Sequence, residues 1–200
     1  NEAIQAEKEG DQEECIKKFK LVVKAIKNRH WVDIYFQADW YAGILYVLGQ
    51  NAWKNGEKRD AINYYEEALQ IRDELDALKI SQNKENYALL LYFYALTILS
   101  EPLSQDSLSQ VIGILNKSQE LFEEIENSLG PESLSNYSSC CFNLGQLICL
   151  YTTGGNKVGL PLVESAINIM ERLVNNYGLI KYQNDVEQFR RQYIALKNRR

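Results

Sequence analysis

Apolar residues recur at three- and four-residue spacing along almost the whole chain, and this period constrains the fold more than any other feature. An α-helix turns once per 3.6 residues, so such spacing gathers apolar side chains on one face, which must be buried against a neighbour. Turn-forming residues interrupt the pattern at Gly10-Asp11, Asn55-Gly56, Ser81-Gln82-Asn83, Glu101-Pro102, Gly130-Pro131, 152–156 and Tyr177-Gly178. Between them the spacing predicts a stub ending near Gly10, then helices over about 12–28, 31–54, 58–79, 84–100, 106–128, 132–152 and 161–177. A last helix over 182–198 places Tyr182, Val186, Phe189, Tyr193 and Leu196 on one stripe. Only 3 Pro and 11 Gly in 200 residues fit long helices better than a sheet with many tight turns. The expected class is all-α.

The helices repeat. In residues 42–75 the order is Leu45-x2-Leu48-Gly49-x2-Ala52, then Gly56, then Ala61-x3-Tyr65-x2-Ala68. Gly49, Ala52, Ala61 and Ala68 are small where two antiparallel helices approach closely, Leu45, Leu48 and Tyr65 fill the space between, and Gly56 ends the first helix. This order resembles a tetratricopeptide repeat. With the register set there, Ala3, Ala6, Gly10, Cys15, Phe19 and Val22 match its second half at a constant offset of 46. Cys141-x2-Leu144-Gly145-x2-Ile148 and Ala166-x3-Met170-x2-Leu173 form a later copy, with about nine extra residues at 152–160. A weaker middle copy pairs Leu91-x2-Tyr94-Ala95-x2-Ile98 with Val111, Leu115 and Ser118. Ala3, Gly49, Ala95 and Gly145 give periods of 46, 46 and 50 residues. These exceed the minimal repeat of about 34 residues, as in the long-repeat members of the family, the kinesin light chains and the peptide-sensing bacterial regulators. The run Leu121-Phe122-Glu123-Glu124-Ile125 followed by Leu129-Gly130-Pro131-Glu132 is similar to a light-chain junction between helices. A HEAT-like solenoid has a comparable period and is the structural competitor.

The resemblance implies a right-handed superhelical α-solenoid of helix hairpins in a single domain over 1–200, with repeats at about 1–30 (truncated), 31–80, 84–128 and 132–177 and a capping helix at 182–198. It also implies a concave groove lined by the first helix of each repeat, where a partner peptide or helix is held. Carried onto this chain, the groove positions are Tyr46, Gln50 and Trp53, then Leu89, Tyr92 and Phe93, then Ser139, Phe142, Asn143 and Gln146. The family's Lys/Asn/Arg clamp for a C-terminal carboxylate is not matched, since Tyr46, Gln50, Leu89 and Phe93 stand at those places. The expected function is a noncatalytic scaffold for a protein or peptide partner. The alternatives are a peptide-sensing module that controls an attached output domain in signalling or transcription, and the helical platform of a larger enzyme. The C-terminal stripe caps the last repeat or serves self-association.

Catalytic chemistry finds little to build on. One His and 4 Cys leave few ligands or nucleophiles, and His30 beside Trp31 has no second ligand at metal spacing. Gly154-Gly155-Asn156-Lys157-Val158-Gly159 lacks phosphate-loop spacing and reads as a turn, with Pro161 opening the next helix. Glu13-Glu14, Glu66-Glu67 and Glu123-Glu124 are adjacent on helices, hence about 100° apart, and read as solvated faces. No enzymatic activity, metal or cofactor is expected. Net charge is −5, but residues 181–200 hold six cations against Asp185 and Glu187, a net +4 that leaves −9 for the remainder. That acidic body argues against a nucleic-acid surface. The longest run of this apolar kind, 87–99, is too short to span a bilayer. Cys15 and Cys149 sit in apolar patterns, while the adjacent Cys140 and Cys141 cannot easily bridge each other, a usage expected of a reducing, cytoplasmic protein. The start Asn1-Glu2-Ala3 reads as an internal segment of a longer protein.

Overall fold

A computed structural model describes residues 12–27, 35–77, 83–102 and 104–199. The proposed matches at Ala3, Ala6 and Gly10, and the pair His30-Trp31, lie outside them. Among the described residues the chain forms eight α-helices and no strand: α1 Gln12–Lys27, α2 Tyr35–Lys54, α3 Lys58–Ala77, α4 Lys84–Leu99, α5 Gln105–Ile125, α6 Pro131–Tyr151, α7 Asn156–Asn175 and α8 Gln183–Lys197. Short 3-10 turns follow α5 at Glu126–Ser128 and precede α8 at Ile180–Tyr182. The architecture is an all-α repeat solenoid, and it divides into two compact units, 1–100 and 101–200.

Local chemistry sets the boundaries. Gly56 takes φ +79, which a side chain disfavours, and closes α2 in a Schellman turn with Gly56 N–H donating to the Trp53 carbonyl at 3.0 Å and Glu57 N–H to Ala52 at 2.9 Å. The Asn83 side chain caps α4 by accepting the Asn86 amide at 3.0 Å, and Ser104 caps α5 by accepting that of Ser107 at 3.1 Å. Pro131 opens α6, where a missing amide costs nothing.

In the first unit α2 and α3 form the tightest hairpin, α4 packs on α3 and α2, and α1 on α2. The signature residues are its core: Leu45, Leu48, Ala52, Ala61, Tyr65 and Ala68 are all buried. Gly49 earns its place sterically, because a Cβ there would overlap the Tyr65 ring. In the second unit α6 and α7 are the closest pair, α5 packs on α6, and α8 lies against α7 and α6. Cys141, Leu144, Ala166, Met170 and Leu173 are buried there, as are Val111, Leu115 and Ser118 of α5.

One expectation is corrected. The surplus at 152–160 is not all turn, and Pro161 does not open the helix: α7 begins at Asn156 and Pro161 lies inside it. Proline at that point removes a single bond, to the carbonyl of exposed Lys157, which water can satisfy. Gly159 thereby enters the helix and meets α6. A Cβ on Gly145 would stand 2.6 Å from the Gly159 carbonyl oxygen, and one on Gly159 would overlap the Gly145 carbonyl in return. The two backbones touch at this crossing, and Ser138 Oγ adds a hydrogen bond to the Ala166 carbonyl at 2.7 Å.

Candidate partner-binding face

In the first unit a network of side chains holds α2, α3 and α4 in register. Arg72 belongs to the apolar stripe Ala61, Tyr65, Ala68, Arg72, Leu75 of α3 and is 1% exposed. Its guanidinium pairs with the Asp39 carboxylate of α2 and donates to the Asp39 carbonyl at 3.3 Å, and Asp39 also accepts the Asn83 amide at 3.2 Å. Burial lowers the Arg72 pKa to about 10, which leaves it cationic at neutral pH. Tyr41 donates to Glu67 at 2.7 Å, Tyr87 to Asp73 at 2.5 Å and Tyr94 to Glu66 at 3.0 Å. Burial, then the bond to Glu66, raises Tyr94 to about 12, so its hydroxyl keeps its proton. Glu66 and Glu67 thus reach different helices, α4 and α2, while Glu66 itself stays exposed, as expected of a solvated face.

This register brings the α2 and α4 positions together. Gln50 Nε2 donates to the Tyr46 hydroxyl at 2.7 Å, and the Tyr46 ring lies 6.0 Å from that of Phe93. Phe93 in turn meets Tyr92 edge-on at 5.3 Å. Tyr46, Gln50, Trp53, Leu89 and Phe93 are half-buried, while Tyr92, 5% exposed, belongs to the core. In the second unit Ser139, Asn143 and Gln146 are half-buried on α6. Phe142 is 7% exposed because Phe189 of α8 stacks on it, with ring centroids 3.9 Å apart and planes at 8°.

Aromatic faces, a phenol and carboxamides can stack on and hydrogen-bond to a ligand, but they make no nucleophile and base. The thiols do not supply one. Burial pushes Cys140 up to about 12 and raises Cys141 and Cys149 as well, so they stay protonated and weakly nucleophilic. No group of three His, Cys, Asp or Glu that could hold a metal ion occurs among the described residues.

Residues 42–75, the α2–α3 hairpin with its Gly49–Tyr65 contact, match the family model of the tetratricopeptide repeat. Over those residues the chain is similar to a tetratricopeptide repeat. Two crystal structures of a kinesin light chain candidate from Podosopora anserina with nearly identical TPR-like repeats, one a point variant, match it with TM-scores of 0.54 and 0.53 at 12% identity. Each match covers 98% of this chain and 91% of the other. At that identity the likeness is one of fold alone, an all-α repeat solenoid over nearly the whole chain. No curated protein matches the sequence significantly. No helix among the described residues is long and apolar enough to cross a membrane. Tetratricopeptide repeats serve generally as protein–protein interaction scaffolds.

The repeat register singled out Tyr46, Gln50, Trp53, Leu89 and Phe93 as candidate positions, and the structure adds the links that hold α2, α3 and α4 in register. The available signal was Arg72, a cation at a core position of an otherwise apolar stripe. Asp39, Tyr41 and Glu67 carry no such mark.

Proposed function

We propose that this chain is a noncatalytic scaffold whose first unit holds a peptide or helix of a protein partner against α2 and α4. The observation that carries the reading is the half-exposed cluster of Tyr46, Gln50 and Phe93, contributed by two helices that the Asp39–Arg72 and tyrosine–carboxylate links keep in register. The cluster itself carries no formal charge, so it suits an apolar or mixed segment that also offers backbone or amide groups. On the second unit, taken by itself, Ser139, Asn143 and Gln146 of α6 form a separate candidate set of contacts. Phe142 joins them only where α8 uncovers it.

Peptides selected on the purified protein from a displayed random library provide the probe. Gln50→Ala and Trp53→Ala should each weaken the selected peptides about tenfold or more, the loss expected of a side chain central to an interface, with an unchanged circular dichroism spectrum. Selected peptides that bind both variants as tightly as the parent would remove the α2–α4 face as the site.

A further inference from the structure

Along α3 runs an open groove of about 530 Å³, lined by Glu66, Leu69, Gln70, Asp73, Glu74 and Ala77. These positions follow one another at helical spacing, so they form a single strip with a mostly apolar floor and a carboxylate rim. The outer face of α8 carries the complementary strip. Ile194 is 57% exposed and stands between Arg191 and Lys197, both exposed, in the segment whose net charge is +4 against an acidic remainder. Laid antiparallel, the two strips correspond in spacing, Lys197 to Glu66, Ile194 to Leu69, and Arg191 to Asp73 and Glu74, of which Glu66 and Asp73 also accept the Tyr94 and Tyr87 hydroxyls.

We propose that the α3 groove of one copy receives the outer face of α8 from a second copy. The match of charge, with an apolar residue at the centre of each strip, selects this occupant over an acidic or wholly apolar one. The two surfaces differ, so the contact is heterologous: a joined pair leaves one α3 groove and one α8 face unused, and association continues with concentration unless the rotation closes a ring. Exposed ion pairs contribute little each and are screened by salt, so the contact is weak and salt-sensitive.

Sedimentation velocity of the full chain over a concentration series tests this at low and high salt. Species larger than the monomer should grow with concentration and recede with salt. Arg191→Glu and Glu74→Arg, both at exposed positions, should each weaken association about tenfold, and the two combined should restore it, because the reversed charges attract again. A monomer at every concentration overturns the proposal, whether or not the groove captures unrelated basic peptides. So does association that neither reversal weakens, or that the double variant fails to recover. Loss of peptide binding at Gln50 or Trp53 is a separate readout, and the α2–α4 reading stands or falls independently.

Discussion

Gly49 and Gly145 occupy equivalent places in two repeats, and both were legible as the small residue of a Leu-Gly pair, yet they are small for different reasons. Against Gly49 lies the Tyr65 ring, a side chain that can shift at some cost; against Gly145 lies the Gly159 carbonyl, which cannot move without moving α7. Gly49→Ala should therefore cost about 1–3 kcal/mol, the usual range for overpacking a core, and Gly145→Ala more than Gly49→Ala. Urea denaturation of both variants checks the order, and a reversed order would mean that the α6–α7 crossing yields more easily than the Tyr65 ring. Gly159 itself was not legible as a packing residue. It sits in a glycine-rich run whose composition says turn, and only the reciprocal contact with Gly145 shows that it belongs to a helix crossing. Arg72 escaped for a related reason: charge suggests surface, whereas the Asp39 carboxylate lets this cation replace an apolar residue in the α3 stripe.

Helix positions followed from periodicity because each helix buries a continuous stripe, while helix ends depend on single bonds that the period does not encode. The start of α7 shows the limit. Ala166, Met170 and Leu173 fixed where its core lies, but Pro161 looked like a first residue, and the helix runs one turn further back. For α8 the stripe was legible almost whole. Val186, Phe189 and Leu196 are buried, and only Tyr182 falls in the preceding 3-10 turn. Burial of that stripe on α6 and α7 makes α8 a cap for the second unit, since the last hairpin would otherwise expose its apolar side. Phe189→Ala should then destabilise that unit by about 3–5 kcal/mol, the range for emptying a buried aromatic site, with Phe189→Leu retaining part of the loss. Urea titration followed by circular dichroism measures it, and a change under about 1 kcal/mol would show that α8 adds little to the core.

A repeat stack is stabilised by local interfaces, so its parts need not unfold together. Here contacts concentrate within residues 1–100 and within 101–200, and the division falls between α4 and α5, helices that the repeat register assigns to one hairpin. The repeat arithmetic placed both helices, but Val111, Leu115 and Ser118 fit the second-helix pattern only across extra residues. The tryptophans supply a built-in reporter: all three, at 31, 40 and 53, fall in the first half of the sequence, and Trp40 and Trp53 lie on α2 of the first unit. Fluorescence thus follows that unit alone, whereas far-ultraviolet circular dichroism sums the helices of both. The two signals are expected to give different urea midpoints, and Phe189→Ala should shift the dichroism curve toward lower urea while leaving the fluorescence curve in place. Coincident curves in the parent protein that move together in the variant would mean that the two units fold as one cooperative body.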